Sequence, residues 1–336
     1  MPVAKALEHL VGLQAQEPWD PYYGLWSRLR DFDPHELGGM IERFEAVRMG
    51  VMRGTIHLTT ARDALVLRGV MEPVMSGTYR SSMFSRQVEG VDEDELLAIA
   101  ATLTTEEPQG RTDLSRALSE RWPEADFDAL GYTATFLLPL VQAPPRAVWG
   151  KTKAAKWLNA EKVLGAEVEW DADPGEVVLR YLRAFNPAAP KDVRAWCYRT
   201  GLRKVIDGLR PRLRVFKNED GVELLDVEDG LLPDPETPAP ARFLPEYDNA
   251  VLGFADRSRI TPPPGGERPY WKGAVLVDGF ATVTWRFVRE KKDVVIEVGA
   301  WRKLTRAERG EVEAEAAALL EWSAPAAETR GVRIVS

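Results

Sequence analysis

The 336-residue chain has few of the side chains that most metal and redox sites use. It contains three histidines and one cysteine, Cys197. A single cysteine excludes an intrachain disulfide, a cysteine-rich zinc site and a Cys-x-x-Cys redox motif. The sequence also lacks a Gly-x-x-x-x-Gly-Lys-Ser/Thr phosphate loop, a dinucleotide-binding glycine fingerprint and a Gly-x-Ser-x-Gly motif. We therefore expect no metal and no cofactor, and we do not expect a hydrolase with one of the usual nucleophiles.

Long apolar runs are absent as well. No run approaches the ~20 residues of a membrane-spanning helix, and the N-terminus has no signal-peptide pattern. Together with the single cysteine, this predicts a cytoplasmic protein with no membrane partner. The length exceeds that of an ordinary domain, so we expect two or more packed units.

Positive charge is scarce overall but concentrated. The net charge is −8, yet the segment from Arg194 to Lys217 holds eight cations and one acid, so it carries +7 and the rest carries −15. A second basic group extends from Arg146 to Lys162. Either group alone fits a solvated face as well as a binding site, but two on an acidic chain favour a nucleic-acid surface. The candidate DNA contacts in these groups are Lys151, Lys153, Arg199, Arg203, Lys204 and Arg212.

The chain reads as a helix-rich segment followed by a β-hairpin, and this order occurs three times. The predicted hairpins join Ala46–Arg48 to Val51–Thr59, Leu137–Gln142 to Arg146–Trp149, and Leu213–Phe216 to Val222–Val227. In the third segment a basic helix, Leu202–Leu209, follows Gly201, which is typical of a winged helix-turn-helix. We therefore predict winged helices over residues 1–75, 76–165 and 166–235.

The remaining residues, 236–336, read differently. A proline-rich and acidic linker leads into three alternating segments that predict a small sheet or barrel. Thr305 and Glu308 begin a final amphipathic helix. We expect this C-terminal β-domain to support the winged helices and to carry no chemistry of its own.

The strongest local signal is Gln14-Ala15-Gln16. Gly12 and Pro18 limit helix on either side, so we expect an extended turn that aims both glutamines the same way. Two polar residues at a helix end would be the ordinary explanation of such a pair. The aromatic residues that follow could form the walls of a base pocket, and they fit a hydrophobic core equally well. For Trp26 the core is the favoured interpretation.

A second signal is the strand that contains His57. Alternation puts Ile56 and Leu58 on its buried face and a polar stripe on the other. The stripe consists of Arg53, Thr55, His57 and Thr59. Such side chains suit contacts to phosphates and sugars, and a histidine satisfied within a sheet is the equal alternative.

A third cluster surrounds Asp248. Its neighbours include Glu246 and the Asp256–Arg259 run, which predicts a buried loop held by ion pairs. Asp248 could act as a general base or join a metal site, but the structural interpretation is favoured.

Four stretches resemble the signatures of the winged-helix DNA glycosylases of the AlkZ and YcaQ type. They are Gln14–Pro18, Met52–Leu58, Val148–Lys151 and Leu244–Asp248, and the likeness extends from about Leu7 to about Arg302. Family members usually have a longer segment before the first motif, whereas here 13 residues precede Gln14.

The resemblance implies a mixed α+β fold. It comprises about three tandem winged helices and a C-terminal β-barrel-like domain, which together form a concave cradle for duplex DNA. It also implies that Gln14 and Gln16 are the catalytic pair of a monofunctional glycosylase. Glutamine at the second position resembles the AlkZ-like branch, which is associated with self-resistance to DNA-alkylating antibiotics. The expected partner is duplex DNA with alkylated bases, including bulky adducts or interstrand crosslinks. We expect a monomer with no obligate protein partner.

The chemistry is reasonable without a carboxylate. An amide cannot act as a base near neutral pH, but an N7-alkylated purine already carries the positive charge that lets it depart. Two oriented amides then need only place water and stabilise an oxocarbenium-like sugar. The alternatives are a non-enzymatic regulator, in which the Leu202–Leu209 helix reads the major groove, and a scaffold protein without DNA affinity.

Overall fold

The structure is a computed structural model that describes residues 1–151, 153–261 and 272–335. The chain divides into two compact units. One consists of Met1–Trp19 and Phe32–Gly230, and the other of Asp20–Asp31 and Leu231–Ser336. We call them the large and the small unit. The finer division into four parts stays a prediction.

The elements of both units are named here in chain order. The helices are α1 (Val3–His9), α2 (Asp20–Trp26), α3 (Pro34–Glu42), α4 (Ala61–Val70), α5 (Glu72–Ser81), α6 (Met83–Gln87), α7 (Glu93–Glu106), α8 (Arg111–Arg121), α9 (Phe127–Leu137), α10 (Ala160–Leu164), α11 (Pro174–Phe185), α12 (Pro190–Cys197), α13 (Leu202–Leu209), α14 (Asn249–Leu252) and α15 (Arg306–Ser323). The strands are β1 (Leu13–Gln14), β2 (Ala46–Gly50), β3 (Ile56–Thr60), β4 (Leu140–Gln142), β5 (Trp157–Asn159), β6 (Leu213–Lys217), β7 (Glu223–Val227), β8 (Arg242–Leu244), β9 (Gly273–Val277), β10 (Phe280–Glu290), β11 (Asp293–Ala300) and β12 (Thr329–Val335).

A five-stranded antiparallel sheet organises the large unit. Its strand order is β1-β3-β2-β4-β5, so strands far apart in sequence become neighbours. Strands β2 and β3 form the predicted first hairpin, although a 3-10 turn at Met52–Gly54 separates them. Helices α1 and α4 pack against β3. This arrangement brings the Gln14 segment to one edge of the sheet.

The second predicted hairpin is partly wrong. Strand β4 forms, but residues 146–149 lie in turns and β4 pairs instead with β5. Ala147 has a positive φ of 62°. Backbone of this shape cannot continue a regular strand, so the chain reaches its pairing partner only at Trp157.

The third predicted segment has the expected order of elements. Helices α11, α12 and α13 precede the two-stranded sheet of β6 and β7, and Ala188 bridges to Leu225 at its edge. Gly201 has φ of +75° and begins α13 at the predicted residue. The number of winged helices in the whole chain stays a prediction.

The small unit contains an open five-stranded sheet. Its order is β12-β11-β10-β9-β8, with β11 and β12 parallel and the other pairs antiparallel. Helix α15 buries Val312, Ala316, Leu319 and Leu320 in the core of this unit. Strands β8 and β12 lie at opposite edges, so the prediction of a barrel-like domain is wrong. The added strand β12 extends one edge and does not close the sheet.

None of the helices in the described ranges has the length and apolar character needed to cross a membrane.

Candidate active site

The Gln14 segment lies against β3 in the extended form that the sequence predicts. Leu13 pairs with Leu58, and Gln14 pairs with His57. Gly12 makes this approach possible. Its φ is +88°, and a Cβ atom there would lie 2.7 Å from the Thr59 Cγ2 atom and 3.0 Å from the Leu58 carbonyl oxygen. A residue with a side chain would therefore push β1 away from the sheet.

Ala15, between the two glutamines, is fixed by both of its backbone groups. Its N–H donates to the Ile56 carbonyl at 2.8 Å. Its carbonyl accepts from Nη2 of Arg48 at 2.5 Å, and Nη1 of Arg48 donates to the Gln142 side chain. Arg48 is 2% exposed. A buried guanidinium thus connects the motif to β4 and holds the backbone between the glutamines.

The Gln14 side chain is nearly enclosed and receives a hydrogen bond from Arg53. Nη2 of Arg53 donates to the Gln14 Oε1 atom at 2.5 Å, and Nη1 donates to the Trp196 carbonyl at 2.6 Å. That carbonyl lies in the last turn of α12, where helix carbonyls lack partners and favour a cation. Because a guanidinium only donates, it fixes the Gln14 oxygen towards Arg53.

Arg53 adopts a backbone conformation that few non-glycine residues take. Its φ is 58° and its ψ is 12°, in the left-handed region. This geometry costs about 1–2 kcal/mol for a residue with a Cβ atom. The hydrogen bonds to Gln14 and Trp196 hold it there, which is typical of strain retained at a functional position.

His57 is completely buried and neutral. Its Nδ1 lies 3.1 Å from the Thr55 carbonyl and its Nε2 lies 3.3 Å from Nη2 of Arg53. The carbonyl must accept and the guanidinium must donate, so the proton is on Nδ1. Burial, reinforced by the charge of Arg53, lowers the pKa of His57 to about 3. The imidazole therefore cannot supply a proton near neutral pH.

The expected exposed stripe on β3 is wrong for two of its members. His57 is 0% exposed and Thr59 is 1% exposed. Helices α1 and α4 pack against β3, and the successive residues His57, Leu58 and Thr59 are all buried, so both faces of the strand are covered. The alternative, a histidine satisfied within a sheet, describes His57 correctly, and neither side chain is open to a ligand in this structure. Thr55 is partly exposed.

Gln16 is exposed and opens onto a cavity of about 250 Å³. The cavity is bounded by β2, the Met52–Gly54 turn, α8, α9 and β5. Its polar walls are Gln16, Arg48, Thr55, Arg111, Thr135 and Gln142, and aromatic walls come from Tyr132, Phe136 and Trp157. We call it the Gln16 pocket. None of the described residues that line it is acidic.

Arg111 dominates one wall of the Gln16 pocket. Its guanidinium carbon lies 5.4 Å from the Tyr132 ring centre and 5.5 Å from the Trp157 ring centre. Its Nε donates to Thr135 Oγ1 at 3.2 Å. Loss of water around the guanidinium lowers the pKa of Arg111, while Tyr132 and Asp128 oppose the shift. The rings and Thr135 therefore hold a cation in the wall of the cavity.

The aromatic residues just after the motif do not line this pocket. Tyr22 is 0% exposed, and Tyr23 and Trp26 pack on the core of the small unit. The core interpretation of Trp26 is confirmed, whereas the pocket aromatics come from α9 and β5. Trp19 makes an edge contact with Trp149, with ring centres 5.8 Å apart.

The basic residues of the third segment surround a second cavity, of about 520 Å³. Five cations line it: Lys191, Arg194, Arg199, Arg203 and Arg210. Its two acids, Asp207 and Glu223, both pair with Arg210. Arg203 and Lys204 are exposed on α13. The predicted concentration of positive charge is therefore present around the start of α13.

Other predicted DNA contacts have partners within the protein. Arg199 donates to the Val70 carbonyl and is partly exposed. Arg212 pairs with Glu176 at 3.0 Å, and both side chains are more than half exposed. Lys151 pairs with Glu42, while Lys153 is exposed in the same loop. Exposed ion pairs such as those of Lys151 and Arg212 contribute little to stability.

Asp248 is held inside the small unit as a structural group. Its Oδ1 atom accepts from Nη2 of Arg28 at 2.7 Å and from the Ala250 N–H at 2.8 Å, and so caps α14. The favoured interpretation, a buried loop held by an ion pair, fits this geometry. Within the described ranges, no group of three His, Cys, Asp or Glu side chains could hold a metal ion.

Sequence reasoning missed the pocket residues Arg48, Arg111, Gln142 and Trp157. Arg48 and Gln142 are 94 positions apart. No local spacing links them, because the strand order β3-β2-β4-β5 alone brings them together.

Comparisons with known proteins concern the family and the fold of the chain. The family model described as DNA glycosylase AlkZ-like matches residues 7–322. Among solved structures, the chain is similar to Streptomyces sahachiroi DNA glycosylase AlkZ, with a TM-score of 0.76 and 20% sequence identity. The match covers 100% of this chain and 94% of the other. A comparison with curated protein sequences gave no match.

Proposed function

The chain belongs to the AlkZ-like DNA glycosylase family, and from this premise we propose that it hydrolyses the N-glycosidic bond of cationic N7-alkylguanine-type lesions in duplex DNA. The observation that carries the proposal is the Gln14-Ala15-Gln16 arrangement. One amide is oriented by Arg53, and the next opens onto a base-sized pocket.

The reaction matches the groups that are present. The C1′–N9 bond breaks, its electron pair moves to N9, and the purinium becomes a neutral base. Water then adds its oxygen to C1′ and releases one proton to solvent, which leaves an abasic site. No acid is needed for this departure, because the base already carries the positive charge. A neutral His57 and a pocket without acidic lining among the described residues are compatible with that route.

Gln14 and Gln16 hold the attacking water in this proposal. Arg53 occupies one lone pair of the Gln14 oxygen, so the second lone pair and the Nε2 protons stay available. The exposed Gln16 amide supplies the second contact. Fixed dipoles that face the reacting sugar need no reorganisation as its charge develops.

DNA contacts are proposed for the exposed and partly exposed cations. They are Lys151, Lys153, Arg199, Arg203, Lys204 and Arg212, with Thr55 beside the pocket. These side chains would neutralise phosphates, so the affinity for DNA should fall as salt increases. Arg53 was expected to contact DNA, but its hydrogen bonds favour a role in positioning Gln14. Bulky adducts and crosslinks form part of the proposed substrate range.

The experiment uses a duplex with one N7-methylguanine, followed by alkali and a denaturing gel. We expect strand breaks at the lesion with the wild type. Gln14→Ala and Gln16→Ala should each lower the single-turnover rate constant by roughly 10²–10³-fold and leave DNA affinity nearly unchanged. Gln87→Ala is the matched control, because Gln87 is exposed at the end of α6. Sequence-specific binding without breaks would instead indicate a regulator, and unchanged release by both variants would refute the catalytic assignment.

A further inference from the structure

The Gln16 pocket contains two cations beside Gln16, one of the two amides that the proposed function uses. Arg48 and Arg111 line it together with Gln16, and no acidic residue of the described chain does. A positively charged purine would be repelled by such a wall. The positive charge of the pocket therefore opposes binding of the cationic purine that the Gln14-Ala15-Gln16 motif favours as a substrate.

Charge moves during the proposed reaction. Before the bond breaks, the positive charge is on the base; afterwards the base is neutral and the sugar carries the charge. Cations around the base and amide oxygens beside the sugar both favour this displacement. Groups that stabilise the transition state more than the bound substrate raise the rate constant.

We propose that the Gln16 pocket receives the purine of the lesion nucleotide and that Arg111 accelerates its release by disfavouring positive charge on the base. This inference rests on the proposed function. The base would lie beside the Arg111 guanidinium, which covers the Tyr132 and Trp157 rings of the aromatic wall. Its O6 acceptor suits a guanidinium donor.

The size of the cavity agrees with one purine. Its volume of about 250 Å³ is smaller than the ~300–1,000 Å³ of sites for drug-sized ligands. A bulky adduct therefore does not fit inside with the base, and its remainder would extend through the mouth of the pocket. The pocket would also bind the free, neutral base after release, which provides a readout independent of the rate.

Arg111 can be substituted without disturbing the hydrophobic core. It is exposed at the first position of α8, and the cap of that helix comes from Gly110 and Asp113. Arg111→Met keeps a long side chain over the rings and removes the charge, whereas Arg111→Lys keeps the charge. Arg116→Met is the matched control, since Arg116 is an exposed cation on the same helix that pairs with Asp113.

Two quantities, both measured with the purified full-length protein, test the proposed role of Arg111. They are the single-turnover rate constant for release from N7-methylguanine duplex and the inhibition constant of free 7-methylguanine, which is neutral at pH 7. Loss of one hydrogen bond from the guanidinium to O6 in a partly solvated site changes such a rate or binding constant by roughly threefold to tenfold. We expect Arg111→Met to lower the rate constant and weaken inhibition by that factor, with duplex affinity within twofold. Arg111→Lys should retain most of the rate.

Other results would overturn the inference. If Arg111→Met releases base at the wild-type rate, the charge does not act on the reaction. If it loses duplex affinity and its salt dependence falls by about one phosphate contact, with an unchanged rate constant, Arg111 contacts the DNA backbone. Both outcomes leave the proposed function intact. A wild type that releases no base refutes the proposed function itself.

Discussion

The position of the Gln14 strand depends on a glycine, and this dependence can be measured. Gly12 has φ of +88° and lies close to the Leu58 carbonyl and the Thr59 side chain. Gly90 has nearly the same φ, +86°, but no atom within 4 Å of an added Cβ. Gly12→Ala and Gly90→Ala therefore share the backbone penalty, and only the first adds a collision.

The magnitudes follow from that comparison. Gly90→Ala should destabilise the protein by about 1–2 kcal/mol, the cost of a left-handed alanine. Gly12→Ala should add about 1–3 kcal/mol for overpacking, because the Leu58 oxygen belongs to the β3 backbone and cannot rotate away. The displaced strand also moves Gln14, and a shift of about 1 Å can cost about 100-fold in rate.

The assay combines urea unfolding, followed by tryptophan fluorescence, with base release from N7-methylguanine duplex. We expect Gly12→Ala to lose more stability than Gly90→Ala and to lose base release by about 10–100-fold, while Gly90→Ala retains its activity. Equal destabilisation and equal activity of the two variants would refute the argument that Gly12 sets the position of the motif.

Three further predictions concern buried groups. Burial keeps the pKa of His57 at about 3, below its unfolded value near 6.5, so its contribution to stability is complete above pH 6.5 and is lost as the pH falls towards 3. The unfolding free energy of His57→Gln should therefore depend less on pH over that range, and identical slopes in urea titrations would contradict this. Burial raises the pKa of the Cys197 thiol to about 11, so iodoacetamide at pH 8 should modify Cys197 only in denaturant. Rapid labelling of the native protein would contradict this prediction. Arg28→Met leaves the buried Asp248 carboxylate without its ion-pair partner and should lower the unfolding free energy by about 3–5 kcal/mol. Arg43→Met removes one member of an exposed pair and should lower it by under about 1 kcal/mol. Equal losses of stability in urea unfolding would show that the Asp248 pair contributes no more than a surface pair.

Local sequence signals predicted the helices better than the strand pairing. Helix α13 begins and ends at the predicted residues because Gly201 adopts a positive φ at its start and an amphipathic pattern follows. The sequence does not predict strand β5, since its three residues form a strand through pairing with distant segments, β4 and Gln109. The open sheet of the small unit has the same explanation, because β12 pairs with β11 residues that lie 36 positions earlier in the chain.

The candidate site was only partly predictable for a related reason. The Gln14-Ala15-Gln16 motif could be recognised from sequence, and its extended form follows from Gly12 and Pro18. The burial of His57 could not be predicted, because alternation along β3 says nothing about the helices that cover both faces. The Gln16 pocket could not be predicted either, because only the tertiary structure brings Arg111 close to Gln16.

The central claim is that two neutral amides suffice for catalysis because the cationic base leaves without being protonated. The charge of the substrate gives the most direct test of this claim. Single-turnover release should be measured from two duplexes of the same sequence, one with cationic N7-methylguanine and one with neutral 1,N6-ethenoadenine. We predict release of the cationic base and roughly 10²–10⁴-fold slower release of the neutral one, since general acid catalysis of that size would be missing. Comparable rate constants for the two lesions would mean that the protein supplies a proton, and would contradict the account.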